Sequence, residues 1–552
     1  MHEHDDGTLQ AYLGDFGRYQ AFVYALVALP GLLGGSTSLI FAWTGYSPET
    51  RCCIPEHDGA QCHSSYASIF NSFNKTDVER LFVAENFCAR CDWDAIANET
   101  IGDKTTPACQ GDRATGCRGH RTIYDTRTAL IPNSISIQFD LGCDRIWMKR
   151  QLWTLNMLGF LIGGGLWSIL SDRYGRRVIF LVCASFAAVV GHAAVFSNSY
   201  VMYGIMQVLI GCANYGCYLT AYIVFMELVD GWPRTLCGML YQVFWTTGML
   251  YDGICAYFIR DWRWLQWAAC APALLYVAFY WWFPESYRWL VVNERPLDAA
   301  RYVRRAARMN RVQIPDSVLK AELCEYTADV ENNSNENRSL VEINRKATVV
   351  DLFRHWRLAK NTLIVWFSWF AVSVCYFGLA QNTTDLPGGP YFSFVASAFV
   401  EVPGILVTVP LTHFWGRKPT LVLTYAICGV TCIGAGLLRG FASDIIILVM
   451  AFSGKAFASA AFAIIYNYSA EIFPTVVRQS GSGGDYVDVR IPIVVYGSIS
   501  LIAAVSDLFL PETKGQALPE TIEDGNSFGT EQYRWSKLAN QHRDKNNELH
   551  QT

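Results

Sequence analysis

Charge is what this chain has little of. Only 17% of its 552 residues are Asp, Glu, Lys or Arg, against about a quarter in an average soluble domain. The formal net charge is −4, so no basic excess points to nucleic acid. Two chemical signatures are missing as well. No GxxxxGK followed by Ser or Thr occurs, which argues against a P-loop ATP-driven machine. The HEH triplet His2–His4 lacks the HExxH spacing of a zinc protease. The sequence calls for no cofactor, no metal and no enzymatic activity.

What fills the chain instead is apolar sequence, 52% of it. About 20 apolar residues of helix cross a bilayer core of about 30 Å. Runs of that kind fall near 20–42, 151–170, 178–197, 201–226, 237–259, 264–283, 361–381, 391–411, 419–438, 445–468 and 491–510. The expected class is an all-α integral membrane protein. The first run follows 19 mostly polar residues and outlasts the roughly 7–15 residues of a signal-peptide core, so a retained helix is expected.

Short loops set the expected orientation through their Lys/Arg bias. Arg173, Arg176, Arg177, Arg234, Arg417 and Lys418 lie between spans 2–3, 4–5 and 8–9, while "FSNSY" and "TTDLPGGP" in the alternating loops carry none. The basic loops and the N-terminus (1–19) are expected in the cytoplasm and residues 43–150 outside, in the plasma membrane. That outer segment holds Cys52, Cys53, Cys62, Cys88, Cys91, Cys109, Cys117 and Cys143, with sequons at Asn74 and Asn98. Cysteine at this density in an oxidising compartment reads as a disulfide framework. CARC (Cys88, Cys91) is the alternative start of a zinc site, but no second pair has matching spacing. The cysteines within spans are expected to pack as small apolar groups.

Two halves emerge. "SDRYGRR" (Ser171–Arg177) is echoed by "THFWGRKP" (Thr412–Pro419), with Gly416 241 residues beyond Gly175. Glu227 and Arg234 in "ELVDGWPR" are matched by Glu471 and Arg478 in "EIFPTVVR", 244 residues on. "PES" and "PET" close the halves, and a polar, arginine-rich join spans 285–360. Paired helical bundles of this kind hold a transporter's substrate near mid-bilayer, between the halves. The tight loop needs Gly175, and its arginines stay in water and headgroups. Asp172 is placed to meet a neighbouring helix start or an arginine across the bundle, a contact that one state makes and another breaks. Simple positive-inside anchoring, the plainer alternative, accounts for Arg176 and Arg177 alone.

"SDRYGRR", "PESYRWLV", "AEIFPTVVR", "LPETKGQALPETIED" and "GDFGRYQ", with the long first loop, resemble the organic cation/anion transporter branch of the major facilitator superfamily, over roughly residues 12–525. The organic cation/carnitine transporter-like members are the nearest in pattern. Sugar porters share some of these motifs but have a short first loop. The resemblance implies a two-bundle alternating-access carrier of small organic ions. It places the path at Trp369 and Tyr376 ("WFAVSVCY"), Glu401 ("AFVEVPG"), Tyr218, Gln242 and Asn156, and the conformational switch at Asp172, Arg173, Gly175, Arg176, Arg177, Glu227, Arg234, Gly416, Arg417, Glu471 and Arg478. Independently of any family, an ionisable Glu401 deep in a span should face a cavity or a partner. Beside aromatic faces it suits an organic ammonium. Ordinary helix packing is the alternative for each of these side chains.

The expected partners are a small organic ion and the lipid bilayer, with sodium or proton coupling left open. An anion carrier, a sugar-type carrier, and a transport-defective form or non-transporting receptor are the competing readings. One departure from the family stands out. Between Arg478 and Pro511 only one run can span, because "QSGSGGDYVDVR" (Gln479–Arg490) is too polar to cross. Eleven spans are therefore expected where the family has twelve, the absent one being its eleventh.

Overall fold

The computed structural model describes residues 16–48, 50–52, 82–83, 86–91, 114–115, 122–124, 129–229, 231–293, 295–314, 353–381, 383, 386, 388–438, 441–472, 493–514 and 526–530. The first half comprises α1 (Arg18–Leu39), α2 (Ile146–Tyr174), α3 (Arg176–Ala193), α4 (Tyr200–Met226), α5 (Gly231–Phe258) and α6 (Trp262–Cys270), which a 3-10 turn carries on to Tyr276–Trp282. A polar helix, α7 (Pro296–Asn310), follows; the second half is α8 (Trp356–Gln381), α9 (Pro390–Phe414), α10 (Arg417–Leu437), α11 (Asp444–Ile472) and α12 (Ile493–Asp507).

Among the described residues, eight helices are long and apolar enough to cross a membrane, and α12 is a shorter apolar helix. Among the described residues, each expected run coincides with helix over most of its length, the sixth passing through the 3-10 turn Ala271–Leu275. The basic join is tied down locally, since Asn310 of α7 accepts from the Tyr19 N–H at 2.8 Å and donates to Gln20 at 2.9 Å.

Small residues let α1 and α5 touch backbone to backbone. A Cβ on Gly35 would sit 2.0 Å from the Trp245 carbonyl oxygen, and one on Gly248 2.0 Å from that of Leu32. Membrane helices associate through such close van der Waals contact, because lipid tails remove the hydrophobic drive between them.

Between α1 and α2 lie short strands. β1 (Thr50–Cys52) pairs antiparallel with β5 (Thr122–Tyr124), and β3 (Asn86–Cys91) lies between β2 (Phe82–Val83) and β4 (Ala114–Thr115). Tyr124 roots this region: its hydroxyl donates to Asp140 at 3.2 Å and accepts from the Gly142 N–H at 2.8 Å. Trp262 of α6 packs there with Ile135, Leu141, Leu152 and Tyr203. We call this the loop end of the bundle and the opposite one, with the Gly175 and Gly416 turns, the motif end.

Cys143 is disulfide-bonded. Cys52, Cys88 and Cys91 lie on strands, whereas Cys53, Cys62, Cys109, Cys117, Asn74, Asn98, Arg478 and Gln479–Arg490 lie outside the described residues. Nine cysteines of the helices are free, eight of them buried, in keeping with a packing role.

Candidate functional site

Glu401 of α9 is wholly buried between the halves, and it is not alone. Lys455 of α11 brings its Nζ to 3.1 Å from Glu401 Oε1, both side chains being 1% exposed. The other carboxylate oxygen accepts from Thr246 at 2.9 Å, Tyr376 at 3.2 Å and Ser459 at 3.2 Å. Lys455 also donates to the Tyr376 carbonyl at 3.2 Å, and its Nζ stands 3.3 Å from the centre of the Tyr376 ring. Thr246 belongs to the first half, so the pair is held across the interface. Removing one partner of such a buried pair costs about 3–5 kcal/mol, because the other charge is then stranded.

Aromatic side chains wall the pair. Tyr376 accepts from the Trp245 indole at 3.0 Å and packs against Phe462 at 5.2 Å. Tyr466 links the halves, 4.6 Å from Trp369 and 6.4 Å from Tyr218. The Trp369 indole donates to Ser469 at 2.8 Å. Of the residues placed on the path, Glu401, Tyr376, Trp369 and Tyr218 thus gather in one connected cluster. Gln242 lies one turn before Thr246 on α5, and its carbonyl accepts from that hydroxyl at 3.3 Å. Asn156 is elsewhere. It donates to the Gln207 carbonyl and side chain, 3.2 Å each, in the α2–α4 seam.

Lys455, Trp245, Thr246, Ser459, Phe462 and Tyr466 escaped the reading from sequence. For Lys455 the signal was present: it is the sole Lys or Arg in the run 445–468, so the argument applied to Glu401 held equally for it.

The cluster is closed on both sides. Toward the loop end, Trp43 of the first half stacks on Tyr391 at 4.7 Å, Trp153 meets Phe377 at 5.7 Å, and Tyr391 donates to the Ala256 carbonyl at 3.0 Å. Toward the motif end, Arg417 donates to Thr235 at 3.0 Å and Trp232 packs on His413 at 4.5 Å. A small cavity beside Lys455 is lined by Leu379, Thr383, Ser397 and Phe452.

At the motif end the same device occurs twice. Gly175 and Gly416 both take a φ of +102°. Glu285 of "PES" accepts from the backbone N–H groups of Arg176 (2.8 Å) and Arg177 (3.2 Å) at the start of α3. Glu512 of "PET" does the same for Arg417 (2.9 Å) and Lys418 (3.0 Å) at the start of α10. A carboxylate there satisfies orphan donors and complements the helix dipole. Burial raises the Glu285 carboxyl above the ordinary range, while the Ser286, Arg177 and Arg176 N–H groups pull it back.

Side chains repeat the symmetry. Arg176 meets Asp172 at 2.9 Å and Glu227 at 3.5 Å; Arg417 meets Glu471 at 3.0 Å. Ser286 donates to Glu227, and Thr513 to Glu471 at 2.5 Å. Asp172 therefore meets the first residue of the neighbouring helix, within its own half, rather than an arginine across the bundle. Arg177 donates to the Tyr280 carbonyl at 2.8 Å, and Arg173 lies over the Tyr174 ring. Arg234 sits in the first turn of α5.

Known proteins share both sequence and shape with this chain. A family model described as sugar (and other) transporter matches residues 149–486. The "Organic cation transporter protein" of Drosophila melanogaster is 31% identical over 539 residues, covering 94% of each chain. "Solute carrier family 22 member 7" of Sus scrofa is 31% identical over 93% of this chain and 94% of its own. "Organic cation transporter 1" of Caenorhabditis elegans is 32% identical over 94% of this chain and 88% of its own. Among solved structures, the proton:xylose symporter XylE bound to 6-bromo-6-deoxy-D-glucose superposes with a TM-score of 0.59, covering 92% of this chain and 98% of that one. A partially occluded inward open form from E. coli gives 0.56, over 91% and 100%. Both are 15% identical, a likeness of fold alone. With two bundles, the repeated glycine turns and relatives matched along nearly their whole length, the chain belongs to the organic cation/anion transporter family of the major facilitator superfamily, multi-pass membrane proteins that move organic solutes by alternating access and catalyse no reaction.

Proposed function

We propose that this protein carries small organic zwitterions of the carnitine type, or organic cations, through the cluster around Glu401. The observation that carries this reading is the Lys455–Glu401 pair, buried among aromatic rings at the seam of the halves. A zwitterion that offers its ammonium to Glu401 and its carboxylate to Lys455 replaces one internal pair by two and strands neither charge. A simple cation leaves Lys455 without its partner and a simple anion does the same to Glu401, each at a cost. Tyr376, Trp369 and Tyr218 supply rings for an ammonium, at about 0.5–2 kcal/mol per cation–π contact.

The arginine-bearing motif end faces the cytoplasm in this reading, with the N-terminus, and the β-strand region faces outward. The capped glycine turns, with the Asp172, Arg176, Glu227, Arg417 and Glu471 pairs, brace the closed motif end. The Arg417–Thr235 contact crosses between the halves. Opening inward breaks it.

Uptake of labelled carnitine-like, quaternary ammonium and carboxylate compounds by expressing cells, per surface molecule, tests the reading. Zwitterions are expected to lead and cations to follow. Uptake confined to monoanions would overturn it.

A further inference from the structure

A second buried acid stands apart from this site. Asp252 of α5 is 0% exposed and sits in the glycine-lined seam between α5 and α1. Ser36 of α1 donates to its Oδ1 at 2.5 Å, and its Oδ2 has no hydrogen-bond partner. Among the described residues no cation pairs with it. The titratable groups nearest it are all neutral in character: Cys270 of α6, and Tyr251 and Cys255 of α5. The Ala269 carbonyl, 3.5 Å from the Ser36 hydroxyl, completes the polar surroundings. A naked carboxylate in such a place is costly, and an intramembrane acid of this kind marks an ion or proton path.

We propose that Asp252 is a proton-binding site that couples proton movement to the transport cycle. The closed arrangement holds the acid as the neutral carboxyl group. Its lid is formed by Tyr391 and Phe394 of α9, which lie 4.7 and 5.1 Å from Trp43 at the end of the α1–α5 seam; Tyr391 also donates to the Ala256 carbonyl one turn beyond Asp252. When α9 parts from α5, water enters the seam. The O–H bond of the carboxyl breaks, the proton passes to water and the carboxylate remains; the reverse transfer reloads it. The same helix carries Thr246, which donates to Glu401, and Met249, whose sulfur accepts from Tyr376 at 3.5 Å. Whatever charge Asp252 carries is therefore felt by the element that closes the substrate cluster.

The second half offers an internal control. Asp507 of α12 accepts from Ser368 of α8, also through Oδ1, and its Oδ2 is likewise unpartnered among the described residues. It lies by the motif end, away from the Tyr391 lid.

The inference rests on the transport reading, so the test has an arm that needs no substrate. Infrared spectroscopy of the purified full chain in vesicles resolves the carbonyl stretch of protonated carboxylic acids. D252N is expected to lose a component that D507N keeps, and S36A, which retains the acid, to shift that component. In the transport arm, vesicles take up whichever labelled compound the wild type carries. Steady-state accumulation is expected to change about tenfold per unit of imposed pH gradient for one-to-one coupling. In D252N it should no longer respond, while exchange of labelled for unlabelled compound persists. An unaltered band in D252N, a lost component that belongs to Asp507, or an equal gradient response in D252N overturns the proposal. Absence of any uptake by the wild type counts against the substrate reading, and the infrared arm still decides the proton site.

Discussion

Lys455 and Glu401, 54 residues apart in the chain, meet at 3.1 Å with neither exposed beyond 1%. Each is the other's counter-ion. Glu401→Gln or Lys455→Ala is therefore expected to lower stability by about 3–5 kcal/mol and to abolish uptake. The double change Glu401→Gln with Lys455→Met should recover most of the stability and none of the transport. Thermal unfolding in detergent and uptake per surface molecule check this. A double variant no more stable than the singles would contradict it.

Gly175 and Gly416 are the second test. Each combines φ +102° with a carboxylate where a Cβ would stand, Glu285 Oε2 at 2.6 Å and Glu512 Cδ at 2.8 Å. Alanine at either position is expected to cost about 1–3 kcal/mol from backbone strain, more where the carboxylate is displaced. Melting temperatures equal to wild type would refute it.

Glu285 makes a pH prediction. Its carboxyl is raised, with burial the largest cause, so the folded chain keeps a proton there at pH values where the unfolded chain has lost it. The stability this contributes is complete below the ordinary glutamate range and disappears as pH rises through the raised value. Glu285→Gln removes a titratable group and should flatten that part of the stability–pH curve. Curves of identical slope would count against it.

The outer segment has its own check. Its eight cysteines are expected to be mostly paired and Asn74 and Asn98 glycosylated. Glycosidase should sharpen and shift the band on a gel, and thiol reagents should label few of these cysteines in intact cells. No shift with full labelling would reverse the proposed orientation.

The tail is the last. If eleven helices span, as the sequence leads one to expect, a C-terminal tag beyond "LPETKGQALPETIED" should be reached by antibody from outside, and transport should be weak. Inserting an apolar stretch of about 20–30 residues near Gly481–Arg490 should return the tag to the cytoplasm and raise uptake. Strong uptake by the 552-residue chain with a cytoplasmic tag would disprove this.

Local chemistry was enough for much of this protein. Hydropathy along the chain located the long apolar helices, though not the polar α7, because crossing hydrocarbon demands about 20 apolar residues in succession, whatever packs beside them. The glycine turns and the doubled Glu–Arg motifs announced two halves for a similar reason: a tight turn and a helix end are set by neighbours in sequence. What no periodicity could decide is which polar group meets which. The repeat of Glu227 by Glu471 names no partner for either; the fold brings Glu227 to Arg176 and Ser286. The glutamates of "PES" and "PET" read as loop residues until the fold brings them onto the starts of α3 and α10. Asn156 belongs to Gln207, and Glu401 belongs to Lys455. A buried charge has to find a counter-charge somewhere, but the rotation and crossing of the helices choose the one it finds.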